Sequence, residues 1–193
     1  MSGSNATLTR PLVVAANRLP VVRTVDGWEA SPGGLVRALL PTVQRTGGSW
    51  VGWTGEIDGP SDPIHAEGVD LHPISLSADE VAHYYEGFSN DTLWPLYHDA
   101  IRESGFRNED WDAYATVNAR FAKRIAEIAP PDAAVWIHDY HLQLVPEFLR
   151  SARPDVRIGW FDHIPWPPIE LFQRLPWRAE IVSGLLGADV LGF

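Results

Sequence analysis

Residues 133–141, AAVWIHDYH, set five apolar residues directly against two histidines, an aspartate and a tyrosine. Five apolar residues without alternation fit a strand buried on both faces of a parallel sheet, because neither face meets water. Comparable runs recur at 12–16, 50–53, 71–75, 156–161 and 189–193. Helical patterns lie between them. Over 34–45, Leu35, Ala38, Leu39 and Val43 share one face, and Trp111, Tyr114, Asn118, Phe121, Ile125 and Ile128 recur at three- and four-residue steps. Residues 142–151 and 177–186 read as two more helices. Buried strands alternating with amphipathic helices predict a Rossmann-like α/β fold, doubly wound and mostly parallel, with helices on both faces of the sheet. Two stretches read as loops: 54–68, rich in Gly, Pro and Asp, and 162–168, DHIPWPP, whose prolines fix φ and exclude a regular helix.

The totals narrow the function. A length of 193 residues suits one domain, 1–193, with 1–10 as a flexible leader. With 15 Lys+Arg against 25 Asp+Glu the formal charge is −10, which argues against a nucleic-acid partner, since such proteins carry a basic stripe. Cysteine is absent, so thiolate metal sites and disulfides are excluded. The opening MSGSNATLTR has no apolar signal core and no later run approaches a membrane span, so a cytoplasmic protein without membrane association is expected. Nine tryptophans stand out. Most are expected in the core, but several border turns and strand ends, where an indole face can carry a sugar ring.

In an open parallel sheet, ligands bind outside the carboxyl ends of the strands. Three strands end alike: 12–16 runs into Asn17-Arg18, 133–137 into His138-Asp139-Tyr140-His141, and 156–161 into Asp162-His163. Arg18, Asp139 and His163 are therefore expected on one rim. Each also has a plain structural reading: Arg18 as half of a surface ion pair, Asp139 as a helix N-cap, His163 as a satisfied structural histidine. Gly33-Gly34 before a helix lets backbone N–H groups approach an anion, although an ordinary helix entry looks the same. His138 and His141 with Asp139 between them superficially resemble metal ligands, but they straddle a turn and are expected to point apart, so no metal is assigned. Asn118 interrupts an apolar stripe, and a buried amide there needs partners at the sheet rim.

The stretches VVAANRLP, SPGGLVRALLP, GGSWVGWTGE, YYEGFSNDTLWPLYH, WDAYATVNARFA, VWIHDYHLQLVPEFLR and HIPWPPIELFQRLPWR together resemble the trehalose-6-phosphate synthases, retaining glycosyltransferases built from two Rossmann-like domains in the GT-B arrangement. The chain resembles their N-terminal half. The resemblance implies transfer of glucose from a nucleotide sugar, UDP-glucose or GDP-glucose, to glucose 6-phosphate, giving α,α-trehalose 6-phosphate with no cofactor required. It implies that Arg18 and Tyr85 hold the acceptor's phosphate, that Trp94 and Asp139 orient the acceptor sugar, that Gly33 and Gly34 meet the donor's diphosphate, and that His163 serves donor binding and, with Asp139, catalysis beside the reacting carbon. Trp53 and Asp162 are further pocket candidates.

The family's mechanism is front-face attack, with the departing phosphate oxygen taking the acceptor's proton, so that catalysis is positioning and charge stabilisation. In the family a second domain of similar size brings the nucleotide pocket. This chain is expected to end before it and to be inactive alone. DHIPWP departs from the family pattern at Asp162 and Trp166. Alternatives stay open: a synthase using glycerol phosphate or a cyclitol phosphate as acceptor, a non-catalytic sugar-phosphate-binding module, or, third, a hydrolase. Homo-oligomerisation is also open.

Overall fold

The computed structural model of the protein describes residues 10–99 and 105–193. The expected leader lies outside the described residues apart from Arg10, whose Nη1 donates to the Asp132 carbonyl at 3.1 Å. In chain order the elements are β1 (Leu12–Arg18), the hairpin β2 (Val21–Thr24) and β3 (Gly27–Ala30), α1 (Gly34–Thr46), β4 (Ser49–Trp53), β5 (Ile64–Ala66) and β6 (Val69–Pro73). A helical segment follows: α2 (Ala78–Glu80), a π-helix (Val81–Leu93) and α3 (Trp94–Tyr97). Then come α4 (Asn108–Ile128), β7 (Ala134–His138), a 3₁₀ turn (Tyr140–Leu142), α5 (Val145–Ala152), β8 (Arg157–Phe161), α6 (Ile169–Phe172), α7 (Arg178–Leu186) and β9 (Val190–Gly192).

The main sheet has the order β5-β6-β4-β1-β7-β8-β9, parallel except for β5, which pairs antiparallel with β6. The central strands carry unbroken apolar runs because both faces are covered near the centre of the sheet. Val13 and Ala15 enter one core with Val51, Ile137, Tyr114 and Phe121, while Val14 and Ala16 enter the other with Leu39, Val43, Trp50 and Leu71. From β1 the chain passes outward to β4 and β6, then returns to β7 on the other flank and continues to β8 and β9. Adjacent strands whose connections leave in opposite directions open a crevice at their carboxyl ends. That switch point lies between β1 and β7.

The expected α/β class is what the chain adopts. Four corrections concern detail. The stretch 54–68 is not wholly loop, since β5 occupies its end. The helix expected from 142 begins at Val145, after the 3₁₀ turn. The hairpin over 21–30 and the helical segment over 78–97 were not anticipated. In the π-helix the buried residues Tyr84, Phe88, Ser89, Thr92 and Leu93 recur at steps of four and five, because its bonds run from i to i+5. Gly87 faces α4 there: a Cβ would stand 2.6 Å from the Asp110 carboxylate, so only glycine lets the two helices close.

Candidate functional site

Arg18 is the last residue of β1, where the pairing with β4 slips. Ala15 stands opposite Val51 but Arg18 opposite Trp53, so β1 carries one extra residue over this step. A bulge of this kind re-aims the side chains that follow it. The guanidinium lies over the Trp53 ring, with Cζ 4.6 Å from its centroid. Gly55, at φ +97°, lies against it so closely that a Cβ would fall 2.0 Å from Nη2. Among the described residues no ion pair or side-chain hydrogen bond engages Arg18, so the surface ion-pair reading fails and its five donors are free.

From Trp53 a line of rings crosses the switch point. Trp53 meets Tyr85 edge-on at 5.4 Å, Tyr85 stacks on His141 at 5.9 Å, His141 meets Tyr140 at 4.0 Å, and Tyr140 meets Trp94 at 6.0 Å. Tyr140 Oη donates to Asn90 Oδ1 at 3.1 Å. Trp94 itself is 44% exposed. His141 is buried, and neither of its ring nitrogens has a hydrogen-bond partner. Burial pushes its pKa down to about 4, so at neutral pH it presents one N–H and one lone pair.

Asp139 joins β7 to the 3₁₀ turn at φ 76°, ψ 163°, a region that L-residues other than glycine enter at a cost of about 1–3 kcal/mol. Its backbone is held by the neighbouring strand: its N–H donates to the Phe161 carbonyl at 2.7 Å, and its carbonyl accepts from Trp160 Nε1 at 3.3 Å. The side chain makes no N-cap hydrogen bond. The capping reading is thus set aside; the strained backbone holds a carboxylate whose Oδ2 stands 3.9 Å from His141 Nδ1 and whose Oδ1 stands 3.5 Å from the His163 backbone N–H.

The opposite wall is the start of α1. Gly33 occupies the N-cap position, no side chain caps the helix, and its first turn holds no acidic residue. The leading N–H groups and the positive end of the helix dipole are therefore free to meet an anion. A Cβ added at Gly34 would meet nothing within 4 Å, so the space beside this residue is open. One cleft of about 330 Å³ is lined by Asn17, Arg18, Ser31, Gly33, Tyr85, Asp139, Tyr140 and His141, with Ala16, Leu19, Leu35, Val36 and Trp50 completing the lining. Of the residues singled out from sequence, Arg18, Gly33, Tyr85 and Asp139 meet there. Gly34, Trp94 and His163 lie outside its lining, as do Trp53 and Asp162. Tyr140 and His141 were legible as neighbours of Asp139 but not as walls.

His163 is exposed and lies beyond Asp139. Its backbone N–H is 3.5 Å from Asp139 Oδ1, and its ring faces His138, with His163 Nε2 3.1 Å from His138 Nδ1. His138 and His141 thus look toward different neighbours. Asp162, 1% exposed, has neither carboxyl oxygen hydrogen-bonded within 3.5 Å. Burial, and behind it the Asp139 charge, push its pKa far up.

Behind the site, α4 supplies the clamp expected of Asn118. This side chain is fully buried: Nδ2 donates to the carbonyls of Tyr114 at 2.9 Å and His141 at 3.0 Å, and Oδ1 accepts from the Leu144 N–H at 3.1 Å. Tyr114 Oη adds a donation to the Tyr140 carbonyl at 2.8 Å and accepts from the Gln143 N–H at 3.1 Å. Four backbone groups of the segment carrying Tyr140 and His141 are thereby held by two side chains. A second cleft, about 320 Å³, is lined by Arg120, Lys123 and Arg124 of α4 with Ser61 and Ser75; there Arg120 is committed to Glu80 and Arg124 to the Ser61 carbonyl. Among the described residues no helix is long and apolar enough to cross a membrane.

Known proteins resemble the chain throughout. A trehalose-6-phosphate synthase of Mycolicibacterium smegmatis is 58% identical over 190 residues, covering 96% of this chain and 38% of that protein. A structure described as trehalose-6-phosphate from E. coli bound with UDP-2-fluoro glucose superposes with a TM-score of 0.83 at 35% identity, over 95% of this chain and 39% of that one. A UDP-forming α,α-trehalose-phosphate synthase from Burkholderia xenovorans in complex with glucose-6-phosphate gives 0.81 at 32% identity, over 95% and 40%. The chain thus spans about two fifths of the length of these relatives and has the fold of their matching part. The model of glycosyltransferase family 20 matches residues 10–193, and the chain belongs to that family.

Proposed function

We propose that the chain supplies the acceptor-binding half of a retaining glucosyltransferase that moves glucose from a nucleotide-glucose to glucose 6-phosphate, giving α,α-trehalose 6-phosphate. One observation carries this reading: an unengaged guanidinium, a phenol, an uncapped helix N-terminus and a carboxylate share a single cleft at the switch point of the sheet. The Arg18 fork and the Tyr85 hydroxyl suit a phosphate monoester. Asp139 accepts hydrogen bonds from sugar hydroxyls, and His141 and Tyr140 offer polar edges and a ring face. Trp94, at the far end of the line of rings, would close over the acceptor sugar. Gly33 and Gly34 suit the donor's diphosphate through the N–H groups of α1. His163, beyond Asp139, lies where donor and acceptor would meet. The two solved relatives support both substrates, one being bound with UDP-2-fluoro glucose and the other in complex with glucose-6-phosphate.

In this reaction the bond from the anomeric carbon to the diphosphate oxygen breaks, and the acceptor's anomeric hydroxyl oxygen bonds to that carbon on the same face. The hydroxyl proton passes to the departing diphosphate. The chain's own residues hold the two sugars in register, which supplies proximity and orientation rather than a nucleophile. Hydrolysis through two carboxylates would need a partner for Asp139 across the substrate. Asp162 is buried too deeply to serve.

The test is calorimetric titration of glucose 6-phosphate into the chain and into its Arg18→Ala variant, with glucose and glycerol 3-phosphate as competitors. Binding that is weakened about tenfold or more in the variant supports the reading, since a hydrogen bond to a charged group contributes about 1.5–3 kcal/mol. Equal heats in both proteins contradict it, and preference for glycerol 3-phosphate reassigns the acceptor. Asp139→Asn is expected to weaken acceptor binding without trapping a sugar on the protein. A covalent hexose in the intact mass after incubation with UDP-glucose or GDP-glucose would contradict the front-face route.

A further inference from the structure

His138, the last residue of β7, lies outside the cleft and is 1% exposed. Its Nδ1 is 3.1 Å from Nε2 of His163, and its Nε2 is buried without a partner. Two imidazole nitrogens at that distance share one proton, which sits on one ring or the other. If His163 Nε2 carried it, a neutral His138 would bear its own proton on Nε2, leaving a buried N–H without an acceptor. If His138 Nδ1 carries it, Nε2 of His138 is a bare lone pair, and orphaned buried N–H groups are the rarer and costlier defect.

The surroundings favour the neutral form of His138. Trp136 packs on it at 4.8 Å, Phe161 covers His163 at 4.9 Å, and the titratable groups facing it are the Asp139 carboxylate and the His163 ring. Burial, then the proximity of His163, push the His138 pKa down to about 4.

We infer that His138 is a positioning residue whose Nδ1–H fixes His163 in the tautomer that carries its proton on Nδ1. The exposed ring then presents a donor, not an acceptor, on its other nitrogen, suited to a sugar hydroxyl oxygen or a phosphate oxygen. The use of that donor rests on the glycosyltransferase reading of His163; the tautomer itself does not.

The experiment is a nitrogen-15 correlation spectrum of the imidazole rings in the 193-residue chain at pH 8.5, two units above the ordinary imidazole pKa, with the His163 signals assigned by their loss in His163→Asn. The expected result is His163 protonated on Nδ1, with a bias of about tenfold or more. In His138→Leu the population should revert toward Nε2–H, the form free imidazole side chains prefer. In His138→Asn, whose amide N–H can replace the donor, Nδ1–H should persist. Protonation of His163 on Nε2 in the parent chain overturns the inference without any variant, and so does an unchanged tautomer in His138→Leu. Because the spectrum reads a proton position and needs no ligand, failure of sugar-phosphate binding and failure of this inference are separately visible.

Discussion

Asn118→Leu removes the amide that ties α4 to the Tyr140–Leu144 segment while nearly preserving side-chain shape. The three bonds lost are those to the Tyr114 and His141 carbonyls and from the Leu144 N–H. The Tyr114 carbonyl belongs to a continuing helix and keeps its backbone partner. The Leu144 N–H and His141 carbonyl are left buried and unpaired, at about 1–3 kcal/mol each. Leucine is itself well suited to an apolar stripe and recovers part of this, so the net loss should be about 2–4 kcal/mol. For a chain of this length that corresponds to a fall in Tm of roughly 5–15 °C, measured by calorimetry or tryptophan fluorescence. Glucose 6-phosphate binding should weaken as well, because the backbone beneath Tyr140 and His141 loosens. A variant melting within a degree of the parent would refute the claim that this amide holds the segment.

Two further predictions concern the rim. Burial holds the Asp162 carboxyl above its unfolded pKa, so between the two values the folded chain keeps a proton that the unfolded chain has released. Stability therefore falls as pH rises through that window, by up to about 1.4 kcal/mol per unit, and levels off above the folded pKa. Asp162→Asn should gain on the parent as pH rises from 5 to 8 in urea unfolding; a difference that is flat or shrinks over that range would remove the buried-carboxyl account. Gly55→Ala should cost about 1–2 kcal/mol for its positive φ. It should also push the Arg18 guanidinium off Trp53, weakening glucose 6-phosphate about as much as Arg18→Ala does. Titration showing full affinity in Gly55→Ala would mean that Arg18 need not lie where it does.

The central strands were legible because residues such as Val13 and Val14 enter opposite cores, and burial on both faces leaves an unbroken apolar run. The hairpin over 21–30 left no such mark, since Val21 alone among its strand residues is buried. The segment 78–97 escaped because its widened turns spoil the three-and-four spacing that identifies an α-helix. At the site, Arg18 and Asp139 could be placed because one ends and the other directly follows a strand flanking the switch point. What strand order could not convey is set by local geometry: the slip at Ala15–Arg18, the positive φ of Asp139, and the rotation of the His163 ring onto His138. Asn118 was readable for the opposite reason, as one polar residue in an apolar stripe must find partners nearby.

The central claim is that the groove between the ends of β1 and β7, walled by the first turn of α1, is where a sugar phosphate binds. A crystal structure of the chain grown with glucose 6-phosphate tests it most directly. The account predicts phosphate oxygens within hydrogen-bond distance of the Arg18 guanidinium and Tyr85 Oη, with a sugar hydroxyl on the Asp139 carboxylate. A sugar phosphate seated instead among Arg120, Lys123 and Arg124, with the groove at Arg18 holding only solvent, would contradict it.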